Sequence, residues 1–276
     1  MNKAAFWAVL IAASIAGVAG LFIKSMQINP VSQAWLRMAT PTVLTAIWLS
    51  FTGVPLLQGN WRKMSLVSVL GAVRMVFFFV AYTYATIGNA VIIFYTYPIF
   101  TALLSKVILR EQITRRQVVL LFVAFTGILL AFSNKPFDLA NNDIIGMLAA
   151  MASALIYALT VVLFKSESKN YSLPQLLFYQ NAAGLFLLAP FFQFQQARLM
   201  DYSIGIGYGL LIGILAFSLF FFGLKKLKAS TASALMYMEV VSALSLSVIF
   251  YEEQLTWTMI LGALLIVSSS LLLKRK

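Results

Sequence analysis

The sequence predicts an all-α integral membrane protein of ten transmembrane helices, arranged as two inverted five-helix repeats. Three observations predict it: an extreme apolar composition, a one-sided distribution of basic residues, and a segment that recurs 142 residues further along the chain.

The 276 residues are 62% hydrophobic and only 10% charged, with a mean hydropathy of +0.92. A soluble domain carries about 25% charged residues, and no soluble fold of this length hides so much apolar surface. Each spanning helix needs roughly 20 apolar residues, so ten consume about 200 and leave only short loops. The chain has no cysteine and no histidine. That excludes disulfides, thiolate chemistry, Ser-His-Asp triads and histidine-ligated metals. The net charge of +12 is dispersed at helix ends rather than gathered in one patch, which argues for a membrane and against nucleic acid.

The spans follow in order. The first, 4–23, comes after Lys3. It is long for the apolar region of a signal peptide, and Ala16 to Gly20 is a poor cleavage pattern, so it reads as a retained helix. The second, 32–53, follows Asn29-Pro30, and the third, 65–84, follows Gly59-Asn60. The fourth, 89–108, follows Gly88-Asn89, and the fifth is 114–132. Asn134-Lys135-Pro136 and Asn141-Asn142 precede the sixth, 144–164. The rest are 173–194, 204–223, 230–250 and 256–273.

With the N-terminus in the cytoplasm, fifteen of the twenty Lys and Arg residues fall on the cytoplasmic side and three outside, namely Lys24, Lys135 and Arg198. Arg37 and Arg74 fall within spans. Such a bias fits ten helices with both termini cytoplasmic. Lys225-Lys226-Leu227-Lys228 reads as an orientation signal that would also attract anionic lipid. Trp7, Trp35, Trp61 and Trp257 sit near predicted helix ends, as an aromatic belt requires.

Residues 88–114 and 230–256 match at seven positions: Ala90 with Ala232, Tyr95 with Tyr237, Leu104 with Leu246, Ser105 with Ser247, Glu111 with Glu253, Gln112 with Gln254, and Thr114 with Thr256. The unit is five helices, an odd number, so its two copies, 1–134 and 142–276, must run in opposite senses through the membrane. These features carry a resemblance. Tyr97-Pro98-Ile99-Phe100, the closing Leu109-Arg110-Glu111-Gln112-Ile113-Thr114, its second copy Tyr251-Glu252-Glu253-Gln254-Leu255-Thr256, and basic residues in the second and third helices resemble an EamA-type member of the drug/metabolite transporter superfamily. The resemblance covers essentially the whole chain. It departs in the ninth helix, where Glu239 is followed by Val240 instead of the common proline, so the kink there is expected to be weaker. The resemblance implies export or exchange of a solute through a central cavity open alternately to each side.

A charge in hydrocarbon costs about 2.5–3.5 kcal/mol on insertion scales, so each intramembrane charge is a candidate site residue. Glu239 lies near mid-membrane and reads as an amine ligand or proton carrier, or else as one half of a structural pair. Arg74 reads as a clamp on a carboxylate or phosphate, or as a fixed counter-ion for Glu239. Arg37 is close enough to the outer end of its helix that its side chain could reach the headgroups. Lys106, one turn from a cytoplasmic end, is expected to do so. Pro98 removes a backbone donor and frees a carbonyl, either lining a cavity or only bending the helix. Tyr82, Tyr84, Tyr95, Tyr97 and Tyr237 carry hydroxyls that need partners away from lipid. Gln180 and Asn181 lie near where the repeat places Arg37, as neutral ligands or as bonds between helices. Gly205, Gly209 and Gly213, like Ala13 with Gly17 and Ala16 with Gly20, form small-residue stripes suited to close helix packing.

The expected function is a secondary transporter, an exporter of small organic metabolites such as amino acids or related amphipathic solutes, working by alternating access. The alternative is a lipid-linked substrate carrier or flippase. No enzyme activity, metal or cofactor is expected, and no Walker A loop is present. The expected partners are a small-molecule substrate and membrane lipids but no nucleic acid. The chain is expected in a bacterial-type inner membrane, as a monomer or a homodimer.

Overall fold

The computed structural model describes residues 2–133, 141–194, 197–252 and 254–274. Asn134-Lys135-Pro136, Glu253, Arg275 and Lys276 lie outside the described residues. The described chain is all-helical, with no strand. Its α-helical segments are α1 (Lys3–Ala16), α2 (Ala19–Ser25), α3 (Pro30–Thr52), α4 (Trp61–Tyr84), α5 (Ile87–Phe94), α6 (Tyr97–Ile108), α7 (Arg115–Ala131), α8 (Asn141–Glu167), α9 (Leu173–Leu187), α10 (Leu199–Tyr208), α11 (Phe217–Lys226), α12 (Ala229–Leu235), α13 (Met238–Tyr251) and α14 (Trp257–Leu272). A π-helical stretch, Gly209–Ala216, welds α10 to α11.

Several pairs are jointed halves of one longer helix. Six helical runs are long and apolar enough to cross a membrane: Lys3–Ser25, Trp61–Tyr84, Gly88–Ile108, Asp143–Glu167, Leu199–Lys226 and Ala229–Tyr251. The other four are different in kind. α7, α9 and α14 are 17, 15 and 16 residues long. α3 has 23 residues but carries Ser32, Gln33, Arg37, Thr42 and Thr45 on its buried side.

Local chemistry sets the boundaries. Asn29, Asn60, Thr86, Thr114, Ser172 and Thr256 each accept a backbone N–H of the first turn they precede. Thr114 and Ser172 form complete capping boxes with Gln117 and Gln175. The anticipated breaker Asn141-Asn142 opens α8, where asparagine suits a helix start as well as a turn.

The repeat is visible in the backbone. α5 and α12 begin at Ile87 and Ala229, and α7 and α14 at Arg115 and Trp257, each pair 142 apart. Arg110 (φ 54°) and Glu252 (φ 52°) are the described non-glycine residues with positive φ, and they too are 142 apart. Each follows a long helix and turns the chain toward the next one.

Small residues set the closest approaches. A Cβ on Gly205 would lie 2.6 Å from Leu36 Cβ, one on Gly209 2.6 Å from Thr40 Cβ, and one on Gly213 3.0 Å from Pro41 Cγ, so the glycine stripe seats the π-containing helix on α3. Gly127 and Gly262 bring α7 and α14 into similar contact, and Gly17 does so for α1 against Ser242 of α13. Trp35 departs from the expected belt. Its indole N–H donates to Leu185 O at 2.9 Å and its ring packs on Phe192 at 4.6 Å, binding α3 to the end of α9. Tyr84 also departs: it is half exposed at the end of α4, where its hydroxyl needs no interior partner.

Candidate functional site

Two matching breaks build the site. Between α5 and α6 the chain tightens, with Thr96 N bonded to Ile93 O at 3.1 Å and Ile99 N to Thr96 O at 3.0 Å. Between α12 and α13, Met236 N bonds Ser233 O at 3.1 Å and Glu239 N bonds Met236 O at 3.0 Å. These are i to i+3 turns, shorter in pitch than an α-helix, and they re-aim the helix that follows. Pro98 sits at the start of α6, as a residue without an N–H should. The second break forms without a proline. At that second break the tight turn draws its acceptors from Ser233, Ala234 and Met236 and needs no missing donor.

The breaks place Glu239 in the first turn of α13, where it lines a cavity of about 410 Å³ together with Tyr82 and Tyr95. That volume lies in the range of small-molecule sites, about 300–1,000 Å³. The walls come from the α1–α2 joint, α4, α5 and α13. Most are apolar, and Gly17, Gly20 and Ala243 leave the room. Lys24, Thr86, Ser247 and Tyr251 lie toward one end of the helices, where Lys24 Nζ stands 4.3 Å from the centre of the Tyr251 ring. Tyr95 lies within electrostatic reach of the Glu239 carboxylate.

The arginines lie apart from this cavity. Arg37 is 1% exposed and Arg74 5% exposed. Arg37 Nη1 donates to Asn181 Oδ1, whose own Nδ2 is bonded to Leu177 O at 2.8 Å. The Arg37 guanidinium also lies 5.1 Å from the Phe217 ring centre. The Arg74 guanidinium lies 4.6 Å from the Tyr157 ring centre and 5.8 Å from that of Phe78. Its hydrogen-bond acceptor is the Met75 sulfur at 3.7 Å. The Nε atoms of both arginines are buried without a partner. Arg37 does not reach for solvent, and Arg74 makes no ion pair with Glu239, although the two share an electrostatic field.

Tyrosines connect the two regions. Tyr95 and Tyr97 ring centres are 6.1 Å apart, and Tyr97 and Tyr157 are 4.6 Å apart. Tyr237 stands 6.3 Å from Tyr95. The hydroxyls of Tyr97 and Tyr237 are buried and unpartnered. Of the residues singled out from sequence, Glu239, Tyr82 and Tyr95 therefore share the cavity, and Arg37, Arg74, Tyr97 and Asn181 belong to the closed interior. Tyr237, Pro98 and Gln180 are buried and do not line the cavity.

Tyr157, Tyr208 and Phe217 were not anticipated. Tyr208 ends α10 and Phe217 begins α11, so the π-helical stretch between them sets where the Phe217 ring meets Arg37 and where Tyr208 stacks on Phe22. Such stretches are frequent at functional sites. The signal for Tyr157 and Tyr208 was a tyrosine hydroxyl in a largely apolar run, a group that needs a polar partner when buried.

The model of the EamA-like transporter family matches residues 2–133 and 144–275. An uncharacterized transporter of Archaeoglobus fulgidus is 23% identical over 270 residues, covering 98% of this chain and 96% of that protein. Human solute carrier family 35 member G1 is 23% identical over 280 residues, covering 95% of this chain and 76% of the carrier. A solved crystal structure superposes with a TM-score of 0.83 at 17% identity, over 98% of both chains, and shows the same fold.

Proposed function

The chain belongs to the EamA-like transporter family, and on that premise we propose that it is a secondary transporter exporting small organic metabolites, amino acids or related amphipathic solutes, by alternating access. One observation carries the reading. Glu239, an acid in the first turn after a helix break, forms part of the wall of a cavity large enough for such a solute, and tyrosines continue from it toward two buried arginines.

In this reading the chain crosses the membrane ten times. The two halves are inverted, both termini are cytoplasmic, and the membrane is a bacterial-type inner membrane. The six long apolar runs support it. So do the paired starts of α7 and α14, and the extension of α9 by a 3-10 turn at Ala189–Phe191. The described form is then open outward, at the end bearing Lys24 and Tyr251. Its inward end is closed by a latch. Glu111 accepts from Ala229 N at 2.7 Å and from Ser230 Oγ at 3.0 Å, capping α12. Gln117 Nε2 donates to Thr231 Oγ1 at 3.2 Å, and Lys228 Nζ donates to the Gln112 carbonyl. Rocking of the two halves would exchange these contacts for an outer seal.

The test compares metabolites in the medium of cells expressing the intact chain with those of cells expressing Glu239→Gln. Accumulation of one solute class with the intact chain alone supports export through Glu239. Equal media from both strains would overturn it.

A further inference from the structure

Charge bookkeeping in the interior does not close. Asp143 accepts from Thr86 N at 2.5 Å and from the Asn89 amide. Asp201 accepts from Gln27 N at 2.9 Å and from Arg198 N at 3.0 Å. Glu167 pairs with Lys63 at 3.0 Å. Each of these buried carboxylates is satisfied near its own helix end. Arg37 and Arg74 are not satisfied in this way. Both lie almost wholly out of solvent, on helices α3 and α4, which pack against each other and against α9, and each retains an unpartnered Nε. Buried charges are normally paired. Among the described residues, Glu239 is the carboxylate within electrostatic reach of Arg74, and it makes no ion pair with either arginine. Among those residues, two buried positive charges therefore share at most one negative one.

We propose that Arg37 and Arg74 together form an occluded oxyanion subsite, and that the transported solute carries net negative charge. The inference rests on the transporter reading for the word "transported", and for the subsite on two buried guanidiniums with unspent donors. A guanidinium offers parallel donors to a carboxylate or phosphate, and the unsatisfied Nε atoms show that these two still have donors to give. Aromatic faces of Tyr157 and Phe217 hold the guanidiniums in place without spending those donors. Asn181 fixes the orientation of Arg37. The solute would enter at Glu239, where an amine is matched, and deliver its oxyanion past the unpartnered hydroxyl of Tyr97. An acidic amino acid or an amphipathic carboxylate fits this pattern, and a neutral or cationic drug does not.

The test uses the purified full chain in detergent, stripped of phospholipid, and reads its thermal midpoint against succinate and inorganic phosphate, with chloride as the ionic-strength control. The expected result is an upward shift with succinate or phosphate beyond that of chloride, abolished in Arg37→Gln and in Arg74→Gln and present in Glu239→Gln. Arg74→Lys, which keeps the charge, guards against misfolding and should retain part of the shift. No shift in the intact chain, or an equal shift in all variants, overturns the subsite. A shift with added phosphatidylglycerol but with neither small anion also overturns it, assigning the arginines to a lipid headgroup. The readout needs no transport. Anion binding without any exported solute would leave the subsite standing and sink the transporter reading, and export without anion binding would do the reverse.

Discussion

Tyr97 and Glu239 occupy the same place in the two halves, 142 residues apart, each in the first turn of the helix that restarts after a break. Their surroundings are opposite. Tyr97 is 1% exposed, with an unpartnered hydroxyl, whereas Glu239 faces the cavity. The break thus presents one side chain to the closed interior and its counterpart to the open route.

Replacing Glu239 with Gln keeps the size and polarity of the side chain but removes a group that can bind a proton. Export is expected to fall by an order of magnitude or more, and the residual rate should lose its dependence on external pH. Uptake or efflux measured in proteoliposomes across a pH series checks this. An unchanged rate with an unchanged pH profile removes the proton-carrier role.

Tyr97→Phe deletes a hydroxyl that has no partner while the site is empty. A buried unsatisfied polar group costs about 1–3 kcal/mol, so the variant should be at least as stable as the parent in thermal unfolding without solute. Its apparent affinity for solute should be weaker. A clear loss of stability would mean that the hydroxyl already has a structural bond.

Glu111→Ala removes the cap of α12, a contact worth about 0.5–2 kcal/mol by analogy with other helix caps. The inward seal should loosen. Because the chain has no cysteine, a single Thr231→Cys reporter can be labelled cleanly by a membrane-impermeant thiol reagent. Faster labelling from the side of this seal in the Glu111→Ala background is the expected outcome, and equal rates would show that Glu111 does not latch this end.

Gly262→Val would drive a side chain into the Gly127 carbonyl and Ala131. Overpacking of this kind costs typically 1–3 kcal/mol. A lower thermal midpoint with little change in the anion response would place the α7–α14 contact among the supports of the fold. An unchanged midpoint would show that the two helices can part without loss.

Hydropathy and turn residues gave the helical stretches to within about five residues, because apolar length and capping asparagine, serine and threonine are local properties; the exception is the seventh, where α9 ends at Leu187 against an expected 194. The glycine stripe at 205, 209 and 213 was equally legible, since close approach needs only the absence of a side chain. The partners of the intramembrane charges were not legible. Which face of α3 carries Arg37 depends on the packing of α9 and of the π-helical stretch, and neither leaves a periodic signature. Tyr157 was not legible because its role is an aromatic face beneath the Arg74 guanidinium, a contact that depends on how α4 and α8 pack and leaves no signature in the sequence. The break at Met236–Tyr237 went unforeseen for the opposite reason. Proline is a visible cause of a bend, while a tight turn made from ordinary backbone leaves no letter in the sequence.

The left-handed residues Arg110 and Glu252 bear on how such a chain can diverge. Both positions hold one awkward backbone shape with side chains of opposite charge, so the bend does not depend on the charge of the residue that makes it. A duplicated architecture of this kind lets one copy retain the mechanical joint while the other acquires a new charge, and selectivity can drift without the machine being rebuilt.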